Sequence, residues 1–104
     1  MQSLKEKMLP NFLREMRLKL RLNQKDVAQE LGMSSTMYCR IENGERMLQD
    51  YQIQRISTLF KVKIETLRAL NLADKISEET KKYSVTEVQT ALAEVNMRFG
   101  QNIR

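Results

Sequence analysis

The sequence has no histidine and no tryptophan, and only one cysteine, one proline and three glycines in 104 residues. Without histidine and with Cys39 alone, it can form neither a Cys/His zinc site nor a histidine-based triad. One cysteine also excludes an internal disulfide, which favours the reduced cytoplasm. No run approaches the roughly 20 apolar residues of a membrane span, and the N-terminus lacks a signal-peptide apolar block. These absences predict a small cytoplasmic protein with no metal, no cofactor and no membrane segment.

Positive charge is unevenly placed along the chain. Residues 1–70 carry 13 Lys or Arg against 8 Asp or Glu, whereas residues 71–104 carry five of each. The basic excess is densest between Arg14 and Lys25. A basic surface suggests a polyanionic partner, because each neutralised phosphate releases counterions. A net charge of +5 is also common among ordinary proteins, so charge alone does not decide the function.

Helical spacing recurs along the chain, and no segment alternates apolar and polar residues for long enough to indicate a sheet. Pro10, Gly32, Gly44 and Gly100 divide the chain into helix-sized pieces. Five helices are predicted within residues 1–70, the first domain, and the fifth is expected to be short. The apolar positions predict one shared core, made up of Phe12, Leu13, Met16, Val27, Ala28, Leu31, Tyr38, Ile41, Ile56, Leu59 and Leu67.

Local signals predict where the first three helices begin and end. Pro10 suits a first helical position. Asn23 can cap the second helix, and Gly32 stands just past its end. Ser34 can cap a third helix that starts at Ser35.

The rest of the chain divides into a connector and a last helix. Residues 71–83 are polar and are predicted to be a connector of uncertain structure. Ser84 and Glu87 then have capping-box spacing, so residues 84–104 are predicted to contain an amphipathic helix. This stripe must pack either on its own domain or on the same helix of a second subunit, and dimerisation is favoured. The stripe consists of Val85, Val88, Leu92, Val95 and Phe99.

The most informative segment is LNQKDVAQELGMSSTMYCRIENGE, residues 22–45. Two short helices meet there at a tight corner, where Ala28 is small enough for close approach and Gly32 permits a positive backbone angle. The segment resembles the helix-turn-helix of phage repressor and Cro-type regulators, the xenobiotic-response-element family. The resemblance covers about residues 11–70, including the ELG and IENG signatures. It implies an all-α fold: a five-helix lambda-repressor-like DNA-binding domain, here with an extra C-terminal amphipathic helix.

The resemblance also implies which residues face the bases of DNA. In that family the second helix of the motif lies in the major groove, with its first residues at the base edges. By position, Ser35, Thr36 and Arg40 of helix 35–42 should face bases, with Cys39 beside them. Arginine reaching guanine gives a sharper readout than a hydroxyl, which pairs with several bases.

Further positions match phosphate contacts of the family. Gln24 matches a glutamine whose amide touches a phosphate, and Ser34 and the Asn43 backbone are expected to hold phosphates on either side of the groove. Ser34 can equally serve as a helix cap. Met37 and Tyr38 depart from the family pattern, so base preference cannot be inferred from relatives. Tyr38 is expected in the core.

Two remaining features are interpreted structurally. Arg17 and Glu42 match a buried pair that ties the first helix to the end of the recognition helix in many relatives, and neither is expected to act as a catalytic acid or base. Cys39 could be a thiol sensor, but a small residue in place of serine is favoured, because no neighbour visibly lowers its pKa.

Three functions remain open. The favoured one is a sequence-specific DNA-binding transcriptional regulator, a homodimeric repressor on double-stranded DNA. The second is an antitoxin that binds a toxin and autoregulates its operon. The third is a protein adaptor that uses the same fold without reading DNA. An enzyme is not expected, because the sequence contains no nucleotide loop, metal cluster or activated nucleophile.

Overall fold

The computed structural model describes residues 7–102, and within this range every regular element is a helix and none is a strand. The helices are α1 (Met8–Lys19), α2 (Gln24–Leu31), α3 (Ser35–Glu42), α4 (Asp50–Phe60), α5 (Ile64–Thr80) and α6 (Val85–Asn102). The all-α prediction is therefore confirmed. Two compact units result, one ending at Asp74 and the other beginning at Lys75. No helix of the described range is long and apolar enough to cross a membrane.

The first unit holds the core, to which α1 through α5 all contribute. The predicted residues that are buried are Leu13, Val27, Ala28, Leu31, Tyr38, Ile41, Ile56 and Leu67. Phe12, Met16 and Leu59 are half-buried against them. The core also includes Leu9, Leu48, Ile53 and Phe60. Each large buried side chain adds roughly 1.5–3 kcal/mol as an upper estimate, so this cluster is the main source of stability.

The corner between α2 and α3 follows the predicted signals. Asn23 Oδ1 accepts the Asp26 N–H at 2.8 Å, and Asp26 Oδ2 accepts the Asn23 N–H at 3.0 Å, which completes a capping box. Gly32 ends α2 with φ +69°, a backbone angle that side chains with a Cβ rarely adopt. Ala28 is 1% exposed, as the close approach of the two helices requires.

The start of α1 differs from the prediction. The helix begins at Met8, so Pro10 is its third residue and not its first. Lys7 at the N-cap provides no side-chain cap. Instead, the buried Asp74 carboxylate of α5 accepts the N–H of Met8 at 2.6 Å and that of Leu9 at 3.0 Å. A distant residue thus satisfies two of the free N–H groups that every helix start leaves.

The predicted short fifth helix is wrong, because the helix is long. The predicted connector over residues 71–83 is wrong for residues 71–80, which belong to this helix. α5 runs without a break to Thr80. Residues 71–80 contain neither glycine nor proline, and their polar side chains suit an exposed helix surface. The segment that joins α5 to α6 is therefore only residues 81–84.

The second unit is a hairpin of the end of α5 and α6. Ser84 Oγ accepts the Glu87 N–H at 3.1 Å and Glu87 Oε1 accepts the Ser84 N–H at 2.9 Å, which confirms the capping box. The predicted apolar stripe on α6 is almost uncovered: Val88 is half-buried, whereas Leu92 is 47% and Phe99 62% exposed. A two-helix hairpin has too little core to bury such a stripe by itself.

Candidate nucleic-acid interface

One face of α3 points to solvent. Ser35 and Thr36 lie in its first turn and Arg40 lies one turn further on, and all three are exposed. Cys39 is half-buried beside them. Positions three and four apart share one face of a helix, so the structure brings these four predicted base-facing side chains together.

The opposite face of α3 anchors the helix in the core. Tyr38, Ile41 and Glu42 are all buried there. The Tyr38 hydroxyl makes no hydrogen bond of ordinary geometry. Burial, followed by the neighbouring Glu42 carboxylate, raises the pKa of Tyr38 far above its usual value. Tyr38 is thus a neutral residue, and it lies in the core as the sequence predicted.

Both ends of α3 are capped. Ser34 Oγ accepts the Met37 N–H at 3.1 Å, which confirms its role as a helix cap. At the other end Gly44 adopts φ +77°, and the Glu45 N–H donates to the Arg40 carbonyl at 2.9 Å. The exposed face between these caps is therefore held on a rigid helix of eight residues.

A buried carboxylate ties three helices together. Arg17 of α1 donates from Nε to Glu42 Oε2 at 2.7 Å and from Nη2 to Glu42 Oε1 at 3.1 Å. Arg17 Nη1 also donates to the Leu22 carbonyl at 3.0 Å, and Gln24 Nε2 of α2 donates to Glu42 Oε1 at 3.1 Å. The implied Arg17–Glu42 pair is therefore present, and it also holds the start of α2.

The ionisation of this cluster follows from its contacts. Burial by itself would raise the pKa of Glu42, but hydrogen bonds from Arg17 and Gln24, together with the neighbouring Tyr38 hydroxyl, outweigh it, and the net pKa is lowered. The hydrogen bond to Glu42 raises the pKa of Arg17. Both groups are charged at neutral pH, so the pair is an ion pair with a structural role.

The residues predicted to contact phosphates differ in whether their hydrogen-bond donors are already used within the protein. The Ser34 hydroxyl accepts in the cap but keeps its own hydrogen to donate. Gln24 uses one amide hydrogen on Glu42 and keeps a second. The Asn43 N–H, in contrast, already donates to the Cys39 carbonyl at 3.0 Å. The Asn43 side-chain amide is exposed and lies 3.7 Å from Cys39 Sγ, so it offers solvent a donor that the backbone N–H does not.

Sequence reasoning missed a basic groove beside the end of α3. Lys7 and Arg14 of the α1 region line it together with Asn43. In the sequence, Arg14 stands out only as the first residue of the segment with the densest basic charge. The signal that could have found it is the spacing of Arg14 and Arg17, which puts both on one face of α1 beside Glu42.

The capped two-helix corner, the exposed face of α3 and the five-helix core together define a helix-turn-helix DNA-binding fold. A helix-turn-helix family model matches residues 13–67, which is more than half of the chain. The chain therefore belongs to the phage repressor and Cro-type helix-turn-helix family, whose members are DNA-binding transcriptional regulators and not enzymes. No curated protein and no solved structure matches the chain significantly.

Proposed function

We propose that the protein is a homodimeric, sequence-specific repressor that reads the major groove of double-stranded DNA with α3. The observation that carries this proposal is that α3 has one exposed polar face and one buried face. Its exposed face holds Ser35, Thr36 and Arg40, while its other face is fixed in the core. Base readout requires a rigid helix that presents exposed polar side chains in its first turns.

Arg40 is the residue expected to give the sharpest base preference. Its guanidinium is exposed and can donate two parallel hydrogen bonds to guanine O6 and N7. Ser35 and Thr36 can donate to or accept from several bases, so they refine the preference. Cys39 is half-buried beside them and contributes shape.

Phosphate contacts on both sides of the groove set the register of α3. Gln24 at the start of α2 and Ser34 at the start of α3 serve one side, and the Asn43 side chain serves the other. These groups carry no sequence information themselves. They hold the protein so that Arg40 reaches a defined base pair.

The uncovered stripe of α6 supports the dimer. Two half-sites in successive major grooves lie about 34 Å apart, so a regulator of this kind needs a second recognition helix at a fixed distance. A second copy of α6 would cover the apolar side chains that a single chain leaves exposed. Occupying an operator suffices to block transcription, which favours a repressor. Its place of action is the cytoplasm, as the single cysteine suggests.

An antitoxin is the second candidate, because the hairpin offers an apolar groove. The groove has a volume of about 400 Å³ and is lined by Ile76, Glu79, Thr80, Tyr83, Glu87, Val88, Ala91 and Leu92. A toxin segment with an amphipathic helix could lie in such a groove. A neighbouring reading frame for a small toxin, and a stable complex of the two proteins, would favour this candidate.

Selection from a random DNA pool, followed by footprinting, tests the proposed function. The protein is expected to enrich one sequence with two related half-sites and to protect about two helical turns. Its affinity should fall steeply with salt. Enrichment of no sequence, together with DNA binding that is absent or insensitive to salt, would contradict the proposal and favour the adaptor.

A further inference from the structure

We propose that Lys7 and Arg14, which line a groove between α1 and the end of α3, bind a DNA phosphate. This inference rests on the proposed function, since it adds a backbone contact to the same interface. The groove has a volume of about 350 Å³. It is lined by Lys7, Pro10, Asn11, Arg14, Glu42, Asn43 and Gly44.

Arg14 is the first donor of this groove. Its side chain is 51% exposed, and its Nε lies 3.9 Å from Glu42 Oε1, beyond hydrogen-bond distance. Glu42 already accepts from Arg17 and Gln24. The Glu42 carboxylate therefore attracts Arg14 without accepting a hydrogen bond from it. The planar N–H donors of Arg14 remain available for a phosphate.

Lys7 is the second donor, and it is held in place. Its Nζ donates to the Gly44 carbonyl at 3.0 Å. An ammonium group has three hydrogens, so two remain for a ligand. The aliphatic part of Lys7 packs close to the Gly44 backbone, since a Cβ added there would lie 3.5 Å from Lys7 Cδ. One side of the groove is thus fixed against the end of α3.

The local charge favours an anion. Of the described residues that line the groove, Lys7 and Arg14 are cationic and Glu42 is the one carboxylate. Arg17 already pairs with Glu42, so the cluster keeps an excess of positive charge. A phosphate oxygen that bridges Lys7 and Arg14 would satisfy both without disturbing the Arg17–Glu42 pair. The groove is open to solvent and wide enough for a phosphate group.

The position of the groove indicates that this phosphate belongs to DNA. Asn43, whose side chain is a proposed phosphate contact, lines the same groove. The loop that follows α3, residues 43–49, carries one acid, Glu45, and one base, Arg46, so its formal charges cancel. Asp50, which follows this loop, pairs with Arg68. The cations that line the groove beside Asn43 are therefore Arg14 of α1 and Lys7, the residue before α1.

The test measures DNA affinity against salt concentration for Arg14→Gln and Lys7→Gln. Each variant should make the negative slope of log affinity against log salt shallower by about 0.9, which is roughly a five-fold loss of affinity at 0.15 M salt. The loss should be the same for the selected site and for a scrambled duplex, because a phosphate contact does not read sequence. Arg14→Lys keeps the charge and should keep the slope.

The matched control is Lys63→Gln, which removes the same charge from an exposed position between α4 and α5. It should leave the slope unchanged. Urea unfolding of every variant shows whether an effect on affinity comes from lost structure. If one variant is unfolded, the other variant and Arg14→Lys still decide the question.

Three outcomes would overturn the inference. Unchanged slopes in both variants, with a base preference that still depends on Arg40, would refute phosphate binding in the groove. They would leave the proposed function standing. A wild-type protein without salt-dependent DNA binding would refute both. If Arg14→Gln abolishes binding of inorganic phosphate in an NMR titration but not DNA affinity, the groove holds a free anion and not DNA.

Discussion

Glu42 is the residue on which the geometry of α3 depends most. Its carboxylate is buried and accepts hydrogen bonds from both α1 and α2, so three helices meet at one charge. Removing one partner of such a pair leaves the other charge buried without compensation. The same contacts fix Gln24, so Glu42 also positions a proposed phosphate contact.

Glu42→Gln should make the fold less stable at neutral pH and less sensitive to acid. The pKa of Glu42 is lower in the folded chain than in the unfolded chain, so its charge stabilises the fold above about pH 4.3, and this contribution is lost as the pH falls through the folded pKa. At pH 7 the free energy of unfolding of the wild type should exceed that of the variant by roughly 3–5 kcal/mol. Urea unfolding from pH 7 to pH 2 checks this, and a difference that does not shrink in acid would contradict it.

Some contacts of single residues were predictable and others were not. The Arg17–Glu42 pair was implied by the family resemblance, and the Ser34 cap by residue type alone. The bond from Gln24 to Glu42 could not be predicted, because it depends on the angle at which α2 and α3 cross. The hydrogen bond from the Asn43 N–H to the Cys39 carbonyl could not be predicted either, because it depends on the exact end of α3.

At the scale of elements, the start of α1 shows how one helix is completed by another. Asp74 of α5 takes the place of the missing local cap by accepting two N–H groups of α1. This contact joins residues more than sixty positions apart in sequence, so no local pattern predicts it. The length of α5 differs from the prediction for a related reason: a polar segment is compatible with both a connector and an exposed helix, and nothing in residues 71–80 breaks a helix.

Asp74→Ala should destabilise the first unit and loosen the start of α1. The variant leaves the N–H groups of Met8 and Leu9 without their acceptor, which should lower the free energy of unfolding by about 1–3 kcal/mol. Glu15→Ala, an exposed change on α1, should stay within about 0.5 kcal/mol. Faster amide exchange at the start of α1 locates the effect. Equal stability of the two variants would show that Asp74 does not cap α1 in solution.

At the scale of the whole molecule, the exposed stripe of α6 predicts a dimer. Leu92→Lys places a charge in the middle of the stripe and should yield a folded monomer, whereas Thr90→Lys on the same helix should remain a dimer. Sedimentation equilibrium measures the mass, and circular dichroism confirms the helices. The monomer should also lose tight binding to a site with two half-sites.

Deleting residues 84–104 provides a second test of the dimer contact. The truncated chain should also sediment as a folded monomer, because the core lies in the first unit. If both the truncated chain and Leu92→Lys remain dimeric, the contact lies within residues 1–83. The apolar stripe would then be free for another partner, such as the toxin of the second candidate function.

The most direct test of base readout by α3 is the specificity ratio of Arg40→Ala. The ratio compares affinity for the selected site with affinity for a scrambled duplex, both measured by fluorescence anisotropy at one salt concentration. Arg40→Ala should lower affinity for the selected site by about 1–3 kcal/mol and relax the preference at one base pair. Gln24→Ala should weaken both duplexes alike and leave the ratio unchanged. A ratio for Arg40→Ala equal to that of wild type would contradict the assignment of α3 as the helix that reads DNA.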